Sequence, residues 1–232
     1  MNVALILAAG KGVRFDSSFP KQFVQLNDKS ILEYSLDIVE ELEGVEMTVL
    51  VIEPTYEKKF REITSQYKKR IELCPGGFSR QQSVYKGLKK IKENFKITET
   101  INVLIHDSAR PFARTVFYNV LEKLKTEEAV VPVIKTKDTM YVIEGQKVID
   151  SPCRERLFHV QTPQGFSFNG IFNCHKIADE KYMRDFTDDG SLYLKVEKRQ
   201  PAIANGDQKN FKITDKKDLL LAEYYLSQNI SS

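Results

Sequence analysis

The chain begins with MNVALILAAGKGVRFDSSFPKQF (residues 1–23), in which an apolar run meets a glycine-bearing turn. Val3–Leu7 is apolar at every position, which is typical of a strand buried on both faces of a parallel sheet. The turn after it is rich in small residues, and two cationic side chains, Arg14 and Lys21, follow soon afterwards. The glycines would let backbone N–H groups approach an anion, and the cations would bind the same anion.

Two common phosphate-binding patterns do not fit this turn. The dinucleotide pattern G-x-G-x-x-G requires a third glycine where this chain has Phe15. The P-loop pattern requires G-K-[ST], whereas Gly12 is followed by Val13. Two interpretations remain: an anion-binding turn of another type, or a tight turn whose cations are simply solvated.

Composition excludes several classes of protein. The 232 residues include 35 Lys+Arg and 32 Asp+Glu, a formal charge of +3 that is too even to predict a nucleic-acid or membrane surface. No apolar stretch approaches the ~18 residues of a membrane span, and nothing before the first strand resembles a signal peptide. Three scattered cysteines predict neither a disulfide framework nor a zinc site. We expect one cytoplasmic domain covering residues 1–232.

Short apolar runs alternate with longer amphipathic stretches along the first half of the chain. The runs predict strands at Val3–Leu7, Met47–Ile52, Ile71–Cys74 and Asn102–Ile105, and the stretches predict helices at Ser30–Glu41, Glu57–Lys69 and Gln82–Ile91. This alternation indicates an α/β fold with a mostly parallel sheet and helices on both faces. Ligands of such sheets bind beyond the carboxyl ends of the strands, so the loops 8–21, 75–83 and 106–112 should form one site.

The second and third of these loops each allow two interpretations. Gly76–Gly77, with Arg80 and Ser83 after it, is either a turn before a helix or a place where a flat base approaches the backbone. Asp107 follows a buried strand in the segment HDSARPF, a typical position for a carboxylate that holds Mg2+ bound to phosphates. Asp107 or Ser108 could instead cap a helix. For each loop, both interpretations remain possible from the residues alone.

The pattern changes after residue 130. Residues 133–160 alternate as β-branched segments with a turn at Glu144–Gly145, which predicts a β-hairpin arm outside the sheet. A two-stranded arm is marginal in water, so packing against a second copy in a C2 dimer is expected. Asp215 should cap a final helix that ends near Leu226. The polar segments TDDGS and NGDQKNFKIT are typical of loops, and spacing alone does not distinguish Lys212 from its neighbours.

Eight short motifs occur in a fixed order along nearly the whole chain. They are L-A-A-G-x-G-x-R, P-K-Q, G-G-x-x-R-x-x-S-V, H-D-x-A-R-P, D-T, T-P-Q, T-D-D-x-S and K-I-T. Each is weak alone, but the ordered set resembles the 2-C-methyl-D-erythritol 4-phosphate cytidylyltransferases, from residue 1 to about residue 226. The ribitol-5-phosphate cytidylyltransferases are close relatives that share most of the set.

The resemblance implies a Rossmann-like fold, a homodimer formed through the arm, and transfer of CMP from CTP to a sugar-alcohol phosphate with Mg2+. Carried over by position, it implies catalytic roles for Arg14, Lys21 and Lys212, and Asp107 as the metal anchor. The implied nucleotide-binding residues are Ala8, Ala9, Gly10, Gly12, Gly77, Ser83, Asp107 and Ser108. The implied acceptor-binding residues are Arg110, Thr139, Arg154 and Thr162, with Thr139 and Arg154 reaching the partner subunit's site.

One departure and two alternatives accompany this resemblance. Phe78 stands where the family usually has a small or acidic residue, which affects the contacts expected with the base. The first alternative is the same chemistry on ribitol 5-phosphate. The second is a non-catalytic, nucleotide-sensing relative, which the presence of Arg14, Lys21 and Lys212 disfavours.

Overall fold

A mixed sheet of eight strands lies at the centre of the computed structural model, which describes residues 1–10, 20–95, 100–184 and 186–229. The strands are β1 (Asn2–Ala8), β2 (Gln25–Leu26), β3 (Lys29–Ser30), β4 (Val45–Ile52), β5 (Arg70–Pro75), β6 (Asn102–Asp107), β7 (Ala129–Lys135), β8 (Val142–Glu144), β9 (Lys147–Asp150), β10 (Phe158–Val160), β11 (Gln164–Ser167) and β12 (Ala202–Asn205). The helices are α1 (Ile31–Glu41), α2 (Glu57–Thr64), α3 (Arg80–Asn94), α4 (Arg114–Lys123), α5 (Phe168–Glu180), α6 (Asp189–Glu197) and α7 (Lys216–Asn229).

The strand order of the main sheet is β10-β7-β11-β6-β1-β4-β5, and β12 pairs with β7. Strand β1 is parallel to both of its neighbours, β4 and β6, and β5 is parallel to β4. The chain passes from β1 through β4 to β5 on one side, and then returns to place β6 on the other side of β1. A sheet binds its ligands at such a reversal, beyond the carboxyl ends of the strands.

Apolar side chains cover both faces of this sheet, as the uninterrupted run in β1 predicts. Ala4 and Ile6 point into one buried cluster, which includes residues of α1 and α4. Val3 and Leu5 point into the other, which includes residues of α3, α5 and α6. The fold class predicted from the sequence is confirmed, with helices on both faces of a mostly parallel sheet. No helix within the described ranges is long and apolar enough to cross a membrane.

The prediction of an arm over residues 133–160 is wrong in its extent. Val133–Lys135 and Phe158–Val160 pair with each other inside the main sheet, as parts of β7 and β10. The hairpin that stands apart is shorter, from β8 to β9, and its turn residue Gly145 has a φ of +59°. Alternation of side chains could not separate these cases, because an edge strand and an arm strand share the same period of two. Asp215 does cap α7, accepting bonds from the amides of Lys217 and Asp218.

Candidate active site

A cavity of about 650 Å3 opens at the carboxyl ends of β1, β5 and β6. The three loops that the sequence places at one sheet edge contribute to its wall, so their predicted convergence is confirmed for the described residues. Nine of the residues assigned to the site by resemblance line this cavity: Ala8, Ala9, Gly10, Lys21, Gly77, Ser83, Asp107, Ser108 and Lys212. Gly12 and Arg14 lie outside the residues that the structure describes.

Positive charge predominates in the described wall of this cavity. Four cationic side chains line it (Lys21, Arg80, Lys86 and Lys212), against the two carboxylates of Glu53 and Asp107. A wall of this kind favours a polyanion, because fixed cations in a cleft raise the local concentration of negative ligands.

Asp107 is the buried carboxylate at the end of β6. Its side chain is 12% exposed, with Lys212 Nζ at 2.7 Å from Oδ2 and Arg80 Nε at 3.4 Å from Oδ1. Burial by itself would raise the pKa of this carboxyl, but Arg80 and Lys212 hold its pKa well below the usual range. Asp107 is therefore ionised across the physiological range, and its negative charge holds Lys212 at the wall of the cavity.

The segment that carries Lys212 is anchored from both sides. Ile213 is fully buried, and its amide donates to the carbonyl of Ala109 at 2.8 Å. Its own carbonyl accepts a bond from Lys21 Nζ at 2.9 Å. The two lysines predicted to be catalytic are thus brought together by one short segment, although they lie far apart in sequence.

The glycine loop after β5 packs closely on the end of β1. A Cβ on Gly76 would lie 2.4 Å from the Cβ of Ala9, so this approach needs glycine. The Gly77 amide donates to Ser83 Oγ at 3.0 Å, which holds the loop against α3. Phe78 borders the cavity with its side chain fully exposed. The structure thus places Ser83 as a support of this loop as well as in the wall.

Ser108 joins the carboxyl ends of two strands. Its amide and its hydroxyl both donate to the carbonyl of Leu7, at 3.1 and 2.9 Å, and its own carbonyl accepts a bond from Ser35 Oγ. These bonds fix β6 against β1 just where the cavity opens. The predicted role of Ser108 in nucleotide binding stays a prediction.

Thr162 and Arg110 lie beside Asp107 but are not among the residues that line the cavity. Thr162 Oγ1 accepts a bond from the Asp107 amide at 3.1 Å and lies 3.1 Å from His106 Nδ1. Burial lowers the pKa of His106 to about 3, and the ring is therefore neutral at physiological pH. Arg110 donates from Nη1 to the carbonyl of Asn210 at 2.8 Å, and burial lowers its pKa.

The two remaining acceptor residues are on the exposed segment between β7 and β10. Thr139 is exposed. Arg154 Nη2 lies 3.6 Å from Glu155 Oε1, and Arg154 Nη1 lies 3.5 Å from the carbonyl oxygen of Lys137. Neither lines the cavity of its own chain. Their predicted role in a partner's site stays a prediction.

Three polar residues behind Asp107 received no role from the sequence: Arg80, Asp189 and His175. Arg80 Nη1 lies 2.8 Å from Asp189 Oδ2, and Asp189 Oδ1 lies 3.0 Å from His175 Nε2. Arg80 and Asp189 each belong to one of the eight ordered motifs, and this is the signal in the sequence that could have identified them as site residues. Their pairing is a long-range contact that motif order does not reveal.

The Mg2+ that the family resemblance implies has a limited set of protein ligands here. No group of three His, Cys, Asp or Glu side chains in the described part of the chain could hold a metal ion. Of the two carboxylates in the described wall, Asp107 lies between the cations Arg80 and Lys212. This donor set fits an ion that keeps its waters and arrives with substrate phosphates, as Mg2+ commonly does.

A mostly parallel sheet with a cationic cavity at its carboxyl edge defines an α/β protein that binds a phosphate-bearing ligand. The family model described as "IspD: 2-C-methyl-D-erythritol 4-phosphate cytidylyltransferase" matches residues 2–228. The chain belongs to this family.

Individual relatives match this chain over nearly its full length. The chain is 36% identical over 228 residues to a 2-C-methyl-D-erythritol 4-phosphate cytidylyltransferase of Clostridium beijerinckii, covering 96% of this chain and 97% of that protein. It is 37% identical over 234 residues to the enzyme of the same name from Clostridium botulinum strain Langeland, covering 98% of each.

Solved structures agree as well. The 4-diphosphocytidyl-2C-methyl-D-erythritol synthase of Anaerococcus prevotii superimposes with a TM-score of 0.81 at 28% identity, covering 97% of this chain and 98% of that one. The 2-C-methyl-D-erythritol 4-phosphate cytidylyltransferase of Thermus thermophilus gives a TM-score of 0.76 at 28% identity, covering 96% and 98%.

Proposed function

We propose that this chain transfers CMP from CTP to 2-C-methyl-D-erythritol 4-phosphate and releases diphosphate. Family membership over residues 2–228 carries this proposal. The cationic cavity with its Asp107–Lys212 pair supports it, because the reaction brings two highly charged phosphate compounds together. The relatives described above carry the methylerythritol name, which favours this acceptor over ribitol 5-phosphate and favours an enzyme over a nucleotide sensor.

The proposed reaction needs no general base. An oxygen of the acceptor phosphate attacks the α-phosphorus of CTP, and the bond from that phosphorus to the bridging oxygen of the β-phosphate breaks. The acceptor is mostly dianionic at pH 7, because the second pKa of a phosphate monoester is about 6. The difficulty is electrostatic, since an anion must approach a polyanion. Rate acceleration therefore depends on positioning and on fixed positive charge.

Lys21 and Lys212 supply fixed charge within the described site. Lys21 is held by the carbonyl of Ile213, and Lys212 by the carboxylate of Asp107. We infer that both ammonium groups face the phosphates, with Lys212 exchanging its carboxylate partner for a phosphate oxygen. Arg14 is proposed as a third charge on resemblance alone.

Asp107 is the proposed anchor of Mg2+ when the nucleotide is bound. When present, the ion would neutralise phosphate charge and help to orient the triphosphate. We also propose a cytoplasmic location, because CTP is a cytoplasmic metabolite.

A homodimer formed through the arm is the proposed assembly. Apolar side chains on β8 and β9 are exposed, among them Val142, Ile143, Val148 and Ile149. A hairpin of two strands with no cover is marginal in water, so a second copy is the proposed cover. In this arrangement Thr139 and Arg154 would extend the acceptor site that Arg110 and Thr162 begin in the neighbouring subunit.

The test is a panel of acceptors with CTP and Mg2+, measured by diphosphate release. We expect turnover with 2-C-methyl-D-erythritol 4-phosphate and at most slow turnover with ribitol 5-phosphate. Turnover of ribitol 5-phosphate alone would show that the acceptor is wrong. CTP binding by calorimetry without diphosphate release from either acceptor would instead support the nucleotide sensor.

A further inference from the structure

Two residues to which the sequence assigns no role, each from a different motif, meet directly behind Asp107. Arg80 comes from G-G-x-x-R-x-x-S-V at the start of α3, and Asp189 comes from T-D-D-x-S at the start of α6. The Arg80 guanidinium faces two carboxylates, with Nη1 at 2.8 Å from Asp189 and Nε at 3.4 Å from Asp107. Lys212 occupies the other oxygen of Asp107 at 2.7 Å. The Asp107 carboxylate is therefore shared between two cations.

The two cations differ in how freely they can move. Both side chains line the cavity, but that of Arg80 is 25% exposed with its Nη2 atom buried, whereas that of Lys212 is 37% exposed. Asp189, which holds Arg80 from behind, is 1% exposed. Arg80 is thus fixed within the protein, and Lys212 can turn to a ligand.

Asp189 is itself held from several directions. Its Oδ1 lies 3.0 Å from His175 Nε2, and its amide donates to Gln164 Oε1 at 3.1 Å. The His175 ring stacks on Tyr85 of α3 with an interplanar angle of 13°. These contacts involve β11, α3, α5 and α6, so the position of Arg80 is determined by the packing of four elements.

We propose that Arg80, held by Asp189, is a positioning residue that shares the Asp107 carboxylate and so releases Lys212 to the reacting phosphates. The inference rests on the proposed function. A buried carboxylate with one cationic partner would hold that partner tightly, because removing it leaves an unpaired buried charge. With Arg80 already beside Oδ1, Asp107 stays compensated when Lys212 turns to a phosphate. Arg80 also lines the cavity, and its proposed effect on catalysis is exerted through Asp107 and Lys212.

The competing explanation is that the Arg80–Asp189 pair only holds α3 against α6. A charge-neutral double variant separates the two, since replacing both partners of a buried pair avoids the unpaired charge that each single variant leaves. We expect Arg80→Gln and Asp189→Asn each to lower Tm, and the double variant to recover most of that loss. We also expect kcat of the double variant to stay reduced roughly 10- to 100-fold, the range seen when residues that orient a primary ligand are removed. The KM for CTP should change much less than kcat.

Two further variants complete the comparison. Arg80→Lys keeps a cation next to Asp189, but one ammonium cannot face both carboxylates as the guanidinium fork does. We expect a Tm near that of the wild type with a reduced kcat, so this variant tests the proposal even if the double variant does not fold. Arg114→Gln with Glu41→Gln removes an ion pair between α4 and α1, remote from the cavity, and should leave kcat unchanged.

A spectroscopic readout makes the test independent of turnover. The Lys212 ammonium signal, observed by NMR with labelled lysine and assigned with Lys212→Arg, should shift when CTP is added to the wild type. The shift should be much smaller in Arg80→Gln/Asp189→Asn. If the wild type turns over neither acceptor while the shifts differ in this way, the proposed function fails and this inference stands. If the double variant or Arg80→Lys has wild-type kcat and the wild-type shift, the inference is wrong and the proposed function is untouched.

Discussion

At the residue scale, Asp107 and Lys212 form a partly buried ion pair in the wall of the cavity. Asp107 is the last residue of the buried strand β6, and Lys212 comes from a distant segment that is fixed by the burial of Ile213. An ion pair of this kind adds little stability when desolvation of both groups is counted. The pair holds a cation at the cavity wall, and the proposed role of that cation is to bind a phosphate.

Replacement of Lys212 or Lys21 by alanine should lower kcat at least about 100-fold, because each removes a preorganised charge from the transition state. Steady-state assays at saturating CTP and acceptor measure this, and a Tm near that of the wild type shows that the fold persists. Lys217→Ala, an exposed lysine at the start of α7, is the matched control and should keep wild-type kcat. Near-wild-type kcat in either Lys21→Ala or Lys212→Ala would remove that lysine from the mechanism.

Residues at strand ends could be predicted from the sequence, whereas their partners could not. Asp107 stands out because a carboxylate directly after an apolar strand must lie at the sheet edge. Lys212 sits in an ordinary polar loop, and only the family resemblance distinguished it. The contact of Arg80 with Asp189 depends on the packing of α3 and α6, which no local pattern encodes.

At the element scale, the site depends on how closely the loops after β1 and β5 approach each other. Gly76 makes this approach possible, since a Cβ there would lie 2.4 Å from the Cβ of Ala9 and 3.3 Å from the carbonyl oxygen of Ile52. The Gly76 amide also donates to that carbonyl at 2.8 Å. The two loops therefore form one continuous wall, and a side chain between them would separate them.

Gly76→Ala should raise the KM for CTP roughly 10-fold and lower stability by about 1–3 kcal/mol, the usual cost of forcing extra atoms into a packed contact. Steady-state kinetics and thermal unfolding provide the two measurements. Ala9→Gly in the Gly76→Ala background removes the closest clashing atom. It should restore part of the affinity for CTP and part of the stability. If Gly76→Ala alone behaves as the wild type, the loops are not held by this contact.

Elements of the first half of the chain could be predicted from periodicity, within a few residues at their ends. The predicted strand Met47–Ile52 and helix Gln82–Ile91 are β4 (Val45–Ile52) and α3 (Arg80–Asn94). The strand pairings of the second half could not be predicted in this way, because β7 pairs with β10, β11 and β12, and these pairings are contacts between distant segments. Local alternation specifies a strand there, but not its neighbours.

At the scale of the whole molecule, the hairpin β8–β9 leaves apolar side chains exposed within one chain. Ile143, Val148 and Ile149 are each more than half exposed. Contiguous exposed apolar surface of this kind marks an interaction site more often than a free surface. The proposed C2 dimer would cover it and bring Arg154 to the acceptor site of the other subunit.

Subunit mixing tests whether the proposed dimer shares its sites. Arg154→Ala should raise the KM for the acceptor far more than the KM for CTP, because a guanidinium binds the acceptor phosphate through charge-assisted bonds. In a mixed dimer with Lys21→Ala, one site combines both substitutions and the other has neither. After subunit exchange at equal ratio, about a quarter of all sites are therefore intact, and activity assayed at low acceptor concentration should return toward that fraction. Exchange is verified by native mass spectrometry of differently tagged subunits. If the verified mixture shows only the average of the two separate activities, each site is complete within one chain, and Arg154 acts, if at all, on its own subunit.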